Sequence, residues 1–235
     1  MSNGYYQLAN GRVAAIDDDC DFPALSDALT EPNGLIAIGG DLSAARLLSA
    51  YKQGIFPWFN DGEPVMWWSP NPRMVLFPDE LNISTSLQKT LKKNVFEVRF
   101  NTTFKQVMIA CSQAKRSQQT NDQNSTWISP DMINAYCNLH DLGYAICMES
   151  WLDNQLVGGC YGILIGRMFC GESMFHTQTD ASKVAFVNLV AYLKTQQVGL
   201  IDCQMKTPLL SNFGGREIPR DDFIKTLQHL TELTI

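Results

Sequence analysis

Two stretches of the chain set polar, chemically capable side chains inside otherwise apolar runs. The first is Leu200-Ile201-Asp202-Cys203-Gln204. Side chains alternate along a strand, so Ile201 and Cys203 share one face while Asp202 and Gln204 share the other. An ionised carboxylate in such a run is costly unless it is hydrogen-bonded or lines a wet cavity. Asp202 is therefore either a structural anchor tied to a neighbouring loop or a catalytic group. The second stretch is Met168-Phe169-Cys170-Gly171-Glu172-Ser173-Met174-Phe175. A strand ending at Gly171 sets Glu172 and Ser173 at its mouth, flanked by Phe169, Met174 and Phe175. A carboxylate there suits an amine carried next to a greasy side chain; the plainer alternative is a turn carboxylate above ordinary core.

Two tryptophans add a different chemistry. Trp67 lies in a proline-rich segment and Trp127 in Ser125-Thr126-Trp127-Ile128. Indole faces stack on unpaired bases at roughly 1–3 kcal/mol each without reading sequence, although a tryptophan taken singly is more often core. Lys89, Lys92, Lys93 and Arg99, followed by Lys105, Lys115 and Arg116, form the best local basic patch of a chain whose net charge is −6. Nucleic-acid contact is therefore local, since broad binders are usually basic; the alternative is a solvated helix face.

Other chemistries are disfavoured. The chain has neither a P-loop nor a Gly-x-Gly-x-x-Gly, and Gly-Glu-Ser-Met-Phe is not the Gly-x-Ser-x-Gly elbow of a hydrolase. The seven cysteines contain no Cys-x-x-Cys pair and mostly have apolar neighbours, which fits reduced core thiols better than disulfides or zinc. Cys170 near His176 reads as a buried strand thiol, not a nucleophile. The three histidines lack metal-ligand spacing. No run approaches the ~18 apolar residues of a membrane helix, and Met1 to Asn10 lacks the pattern of a secretory leader. A cytoplasmic protein is expected.

The elements that must position these residues follow from the pattern. Apolar residues at 45% and charged ones at 18% are ordinary for a globular chain, and 235 residues suffice for one large domain or two small ones. The first thirty residues, with Asp17-Asp18-Asp19, suggest a loosely packed lead-in. A helix capped by Asp41 or Ser43 carries Leu47, Leu48 and Tyr51 and ends at Gly54. The prolines between Ile55 and Pro78 exclude regular helix. Strands are expected over 74–77, 95–100, 144–151, 155–165, 167–170 and 199–203. Helices are expected over 84–93, 103–114, 129–142 and 180–196 and after Pro219, with a polar loop over 115–125. The class is α+β on a mostly antiparallel sheet, with a small N-terminal domain over 1–80 and the remainder over 81–235.

Glu31-Pro32-Asn33-Gly34-Leu35, Gly39-Gly40-Asp41-Leu42, Gly54-Ile55-Phe56-Pro57-Trp58, Trp67-Trp68-Ser69-Pro70, Thr126-Trp127-Ile128, Gly171-Glu172-Ser173-Met174-Phe175, Ala181-Ser182-Lys183 and Leu200-Ile201-Asp202-Cys203-Gln204 appear in this order. In order and spacing they resemble bacterial leucyl/phenylalanyl-tRNA–protein transferases, over about residues 22 to 224. The resemblance implies an acetyltransferase-like (GNAT-related) C-terminal domain. It implies transfer of leucine or phenylalanine, and less readily methionine, from the tRNA 3′ end to proteins beginning with arginine or lysine, which marks them for N-end-rule degradation. No metal or organic cofactor is expected. Thr207 and Leu209 stand where relatives carry Asn and His, His176 where they commonly have Ser, and Leu189 and Leu193 where they often have Phe.

On that resemblance the reaction is aminolysis of the aminoacyl ester by a peptide α-amine. Asp202 is expected to accept the amine's proton or anchor its charge, with Gln204 linking it to the reacting centre. Glu172 holds an amine or basic side chain, and Phe169, Met174, Leu189 and Leu193 form the amino-acid pocket. The rivals are an acetyl-CoA-dependent N-acetyltransferase, which lacks its glycine-rich pyrophosphate turn here, and a non-catalytic tRNA-binding module, which the charge disfavours.

Overall fold

The computed structural model describes residues 4–18, 21–114 and 127–233. Among the described residues of the first thirty, paired strands replace the loose lead-in expected there. β1 (Tyr5–Leu8) and β2 (Gly11–Ile16) pair antiparallel over Ala9-Asn10, and β2 then runs parallel to β3 (Leu35–Gly39). Helix α1 (Ala44–Lys52) follows, its N-terminus capped by Ser43 Oγ, which accepts from the Arg46 amide at 3.3 Å. Two short strands, β4 (Phe56–Pro57) and β5 (Met66–Trp68), complete a sheet of order β1-β2-β3-β5-β4. The prolines of this segment therefore exclude helix, as expected, but permit brief strand pairing at a sheet edge.

The chain enters a second sheet at β6 (Arg73–Leu76), ahead of the division near residue 80 that the sequence suggests. There follow α2 (Thr85–Lys93), β7 (Glu97–Phe100), α3 (Phe104–Gln113) and α4 (Pro130–Asp141). Helix α4 begins as Ser129-Pro130 predicts, with Ser129 Oγ accepting from the Met132 amide at 3.2 Å. The loop expected over 115–125 lies outside the described residues. β8 (Ala145–Leu152) and β9 (Gln155–Ile165) form the long central hairpin. Its two turn residues, Asp153 and Asn154, have φ of 50° and 58°, the left-handed pair a tight hairpin turn requires. Then come β10 (Met168–His176), α5 (Ala181–Thr195), β11 (Leu200–Gln204), α6 (Pro208–Asn212), β12 (Arg216–Ile218) and α7 (Arg220–Glu232). The order is β12-β6-β11-β10-β9-β8-β7, antiparallel throughout except between β10 and β11. The class is α+β with mainly antiparallel sheets, as the sequence indicates.

Alternation along these strands divides the core in two. Cys147, Tyr161, Ile163 and Cys170 face α3 and α4 and merge with the first sheet's core, which includes Tyr51 of α1 and Phe223 of α7. Ile146, Met148, Cys160, Phe169 and Ile201 turn the other way, beneath α5.

Candidate active site

β10 does not stop at Gly171. Gly171 pairs with Gly162 and Ser173 with Tyr161, leaving Glu172 as an extra residue in a β-bulge. β11 has a matching bulge: Asp202 pairs with Val75 and Gln204 with Met74, with Cys203 left over. The parallel pairing of β10 with β11 ends just there, at Cys170 opposite Asp202. Bulges re-aim side chains, and these two turn Glu172 and Gln204 toward each other where the strands part. Gln204 Nε2 donates to Glu172 Oε1 at 3.0 Å. Gln204 adopts a φ of 62° to do so, a backbone state uncommon for a residue with a side chain.

Glu172 gathers two more donors. Tyr51 Oη, from α1, donates to Oε1 at 2.7 Å, and Tyr136 Oη, from α4, donates to Oε2 at 3.1 Å. The two phenols also hydrogen-bond to each other. Burial raises the Glu172 carboxyl; its three donors pull it back and the Asp202 charge adds to the rise, leaving it pushed up to about 7. Both phenols are driven well above their ordinary range, by burial first and then by the Glu172 charge.

Asp202 occupies a different environment. It is 1% exposed, and Arg73 of β6, equally buried, grips it with Nε to Oδ1 and Nη2 to Oδ2, both at 2.7 Å. Oδ1 also accepts from the Gln204 amide at 2.9 Å. The guanidinium lies over the rings of Phe56 and Phe223, 4.8 and 4.6 Å from their centroids. A sealed carboxylate whose lone pairs are already engaged is poorly placed to meet an incoming amine. Of the two roles expected for Asp202, accepting the amine's proton or anchoring its charge, this geometry favours neither directly; what it shows is the carboxylate tied to Arg73 and to the Gln204 backbone. The alternation predicted for this strand holds, since Ile201 and Cys203 pack under α5 while Asp202 and Gln204 turn the other way.

The remaining expected residues divide. Ser173 and Met174 are half-buried beside the bulge. Phe169 and Leu189 are 1% exposed and Leu193 is fully buried, in the core beneath α5. They do not wall an open pocket, and they lie across the sheet from the Glu172 carboxyl. Trp67 is likewise fully buried, its Nε1 donating to the Gly39 carbonyl at 2.8 Å. It has no free face for a base, so its expected stacking role is corrected to core. Trp58, nine residues earlier and 40% exposed, is the accessible indole of that segment. Trp127 is half-buried. Lys89, Lys92 and Lys93 are exposed on α2, Arg99 pairs with Glu97, and Lys115 and Arg116 lie outside the described residues. Burial raises the Cys170 thiol well above its usual range, with the charges of Asp202 and Glu172 adding to it, which fits its reading as an inert thiol.

Three site residues escaped the sequence reading. Arg73 left a signal: a charge opening the apolar run Met74-Val75-Leu76 needs a buried counter-charge, and Asp202 in another apolar run is one. Tyr51 and Tyr136 left none, because each fits the apolar stripe of its helix.

Comparison with known proteins follows the same outline. A family model described as leucyl/phenylalanyl-tRNA protein transferase matches residues 75–228, and a model of that family's N-terminal domain matches residues 40–71. The leucyl/phenylalanyl-tRNA–protein transferase of Nitrosomonas eutropha is 57% identical over 94% of this chain and 92% of its own length. That of Chromobacterium violaceum is 55% identical over 88% of this chain and 87% of its own. Among solved structures, L-PGS from Bacillus licheniformis covers 97% of this chain and 84% of its own at 8% identity, with a TM-score of 0.47.

Proposed function

The chain belongs to the leucyl/phenylalanyl-tRNA–protein transferase family, and from that premise we propose how its residues divide the work of moving an aminoacyl group from a charged tRNA to a protein. It is an aminoacyltransferase. The donor side chain is leucine or phenylalanine, with methionine a poorer choice, and the acceptor begins with arginine or lysine.

The observation that carries the division of labour is the meeting of Glu172 and Gln204 at the parting of β10 and β11. Glu172 receives the acceptor's cationic amine. Gln204, held by its own amide to Asp202, orients that amine toward the ester. Arg73 and Asp202 act as positioning residues behind it. The ester is already activated, so holding amine and carbonyl in register supplies much of the rate. Met174 and Ser173 sit next to the donor's side chain. Phe169, Leu189 and Leu193 lie behind Met174 and form a seat only by yielding some of their packing. Incubation with leucyl-tRNA and an Arg-starting peptide, without coenzyme A, is expected to give leucyl-peptide and deacylated tRNA in equal amounts. Product that appears only with acetyl-CoA would overturn this reading.

The tRNA itself is held by charge and stacking. Replacing Lys89, Lys92 and Lys93 with Ala is expected to weaken every aminoacyl-tRNA alike and flatten the dependence of log K on log salt, because phosphate contacts are sequence-blind. In the same titration Trp127→Leu and Trp58→Leu each lose roughly 1–3 kcal/mol if they stack on the terminal adenosine. An unchanged salt slope removes the lysines from the interface. A tryptophan variant that loses thermal stability instead of affinity returns that residue to the core.

A further inference from the structure

This inference rests on the aminoacyl-transfer reading and deepens it at Glu172. The Glu172 carboxyl, Tyr136 Oη and Tyr51 Oη close a ring with three hydrogen-bonding edges: Oε2 to Tyr136, Tyr136 to Tyr51, and Tyr51 to Oε1. Gln204 Nε2 adds a fourth contact, again to Oε1. The phenols bring two protons between them. With Glu172 ionised, both are used on the carboxylate and the Tyr51–Tyr136 edge has none. With Glu172 protonated, each edge has one: Glu172 donates to Tyr136, Tyr136 to Tyr51, and Tyr51 back to Oε1. Because Oε1 already accepts from Tyr51 and Gln204, the added proton belongs on Oε2. Asp202, Arg73's buried partner, carries one charge nearby and disfavours a second on Glu172. We propose that Glu172 is a catalytic base of the transfer, taking the acceptor's proton onto Oε2 and holding it in a ring completed by Tyr136 and Tyr51.

The step balances without any further reagent. The acceptor's α-ammonium gives one proton to Glu172 Oε2 and becomes a neutral amine. Its nitrogen attacks the aminoacyl carbonyl carbon, forming the C–N bond. The bond from that carbon to the ribose oxygen breaks, and a second proton from the nitrogen ends on that oxygen as a hydroxyl. Glu172 then releases its proton to solvent. An α-amine titrates near 8, close enough to a carboxyl raised to about 7 for the exchange to run readily. The groups facing Glu172 are Tyr51 from α1, Tyr136 from α4, Asp202 and Gln204 from β11, and Cys170 from its own strand. Tyr161 of β9 stands edge-on to Tyr136. Cys170 and the phenols are raised, so Glu172 titrates among neighbours that keep their protons.

The test is single-turnover leucyl transfer across pH, beside infrared difference spectra of the carboxyl stretch. The wild-type rate is expected to rise with a midpoint near 7, and a carboxyl band to titrate at the same pH. Glu172→Gln loses that band, keeps only the amine's own limb near 8, and lowers the plateau at saturating peptide by about 10²–10⁴-fold. Tyr136→Phe opens the ring, removing both the donor to the carboxylate and the acceptor of the Oε2 proton, and is expected to displace the band's midpoint from its wild-type value. Stability gives a readout independent of activity. The neutral carboxyl favours the folded state below the unfolded value of about 4.3, and that contribution fades as pH rises through the folded value. Glu172→Gln removes the resulting downward slope. Glu172→Gln that raises peptide KM with kcat intact, or a wild-type carboxyl that titrates in the ordinary range, overturns the proposal. A wild-type protein that transfers nothing from charged tRNA overturns the aminoacyl-transfer reading itself, whatever the infrared titration gives.

Discussion

Arg73→Met is expected to destabilise the protein by about 3–5 kcal/mol, the range for removing one partner of a buried ion pair. The Asp202 carboxylate would keep only the Gln204 amide and remain sealed from water. The double variant Arg73→Met/Asp202→Leu is expected to recover much of that loss, since apolar replacement of a whole buried pair is often neutral or better. Its transfer rate stays low, because Gln204 has lost the anchor that holds it at positive φ. Asp202→Asn sharpens the distinction. If Asp202 only positions, raising the pH does not restore the missing rate, whereas a lost proton acceptor at this position is partly replaced by the amine's own deprotonation. Urea denaturation and pH-dependent transfer assays read both quantities. An Arg73→Met protein as stable as wild type, or a fully active double variant, would sink the positioning role.

Gly162→Ala is expected to be nearly as damaging, through packing instead of charge. Gly162 faces Gly171 across β9 and β10, one residue before the Glu172 bulge. A Cβ there would sit far inside van der Waals contact of the Cys170 carbonyl oxygen and the Phe169 ring. The carbonyl belongs to the sheet and cannot swing aside, so the strands must separate. The cost is expected at or above the usual 1–3 kcal/mol or so of overpacking, with transfer falling as Glu172 moves from its phenols. Gly171→Ala is the control. Its Cβ would meet the Asp202 carbonyl at 3.6 Å and the Phe169 ring at 3.9 Å, ordinary contact, and its melting temperature is expected to stay near wild type. Equal melting temperatures for the two variants would show that the strands at Gly162 have room to spare.

Local chemistry carried far through this molecule wherever one short segment settled the outcome. Ser129-Pro130 opens α4, Asp153-Asn154 turns the central hairpin, and the alternation at Ile201 to Gln204 holds. What could not be read depended on partners distant in the chain. Tyr5 to Ile16 is too short and polar at its exposed first strand to announce a sheet, and gains its place from pairing with β3. The bulge at Glu172 is invisible without the register against β9, so the strand was expected to end where it only kinks. Trp67 and Trp58 have the same chemistry in the same segment, and only packing decides that the first is enclosed and the second open. Phe169, Leu189 and Leu193 suit a ligand pocket and a core equally well by type, and here they are core. Asp202 was legible as unusual but not as paired, because Arg73 lies 129 positions away.

Tyr51 and Phe56 belong to the part of the chain that builds the first sheet, yet one touches the Glu172 carboxyl and the other lies under the Arg73 guanidinium. With Glu172 in its proposed role, the smaller sheet is not a module that can open and reclose while the chemistry carries on. Any sub-global opening that lifts α1 away removes a proton donor from Glu172, and one that lifts β4 strips an aromatic cover from the buried ion pair. Active and fully docked become the same thermodynamic state, so the free energy of that local opening sets an upper limit on the fraction of molecules poised to react.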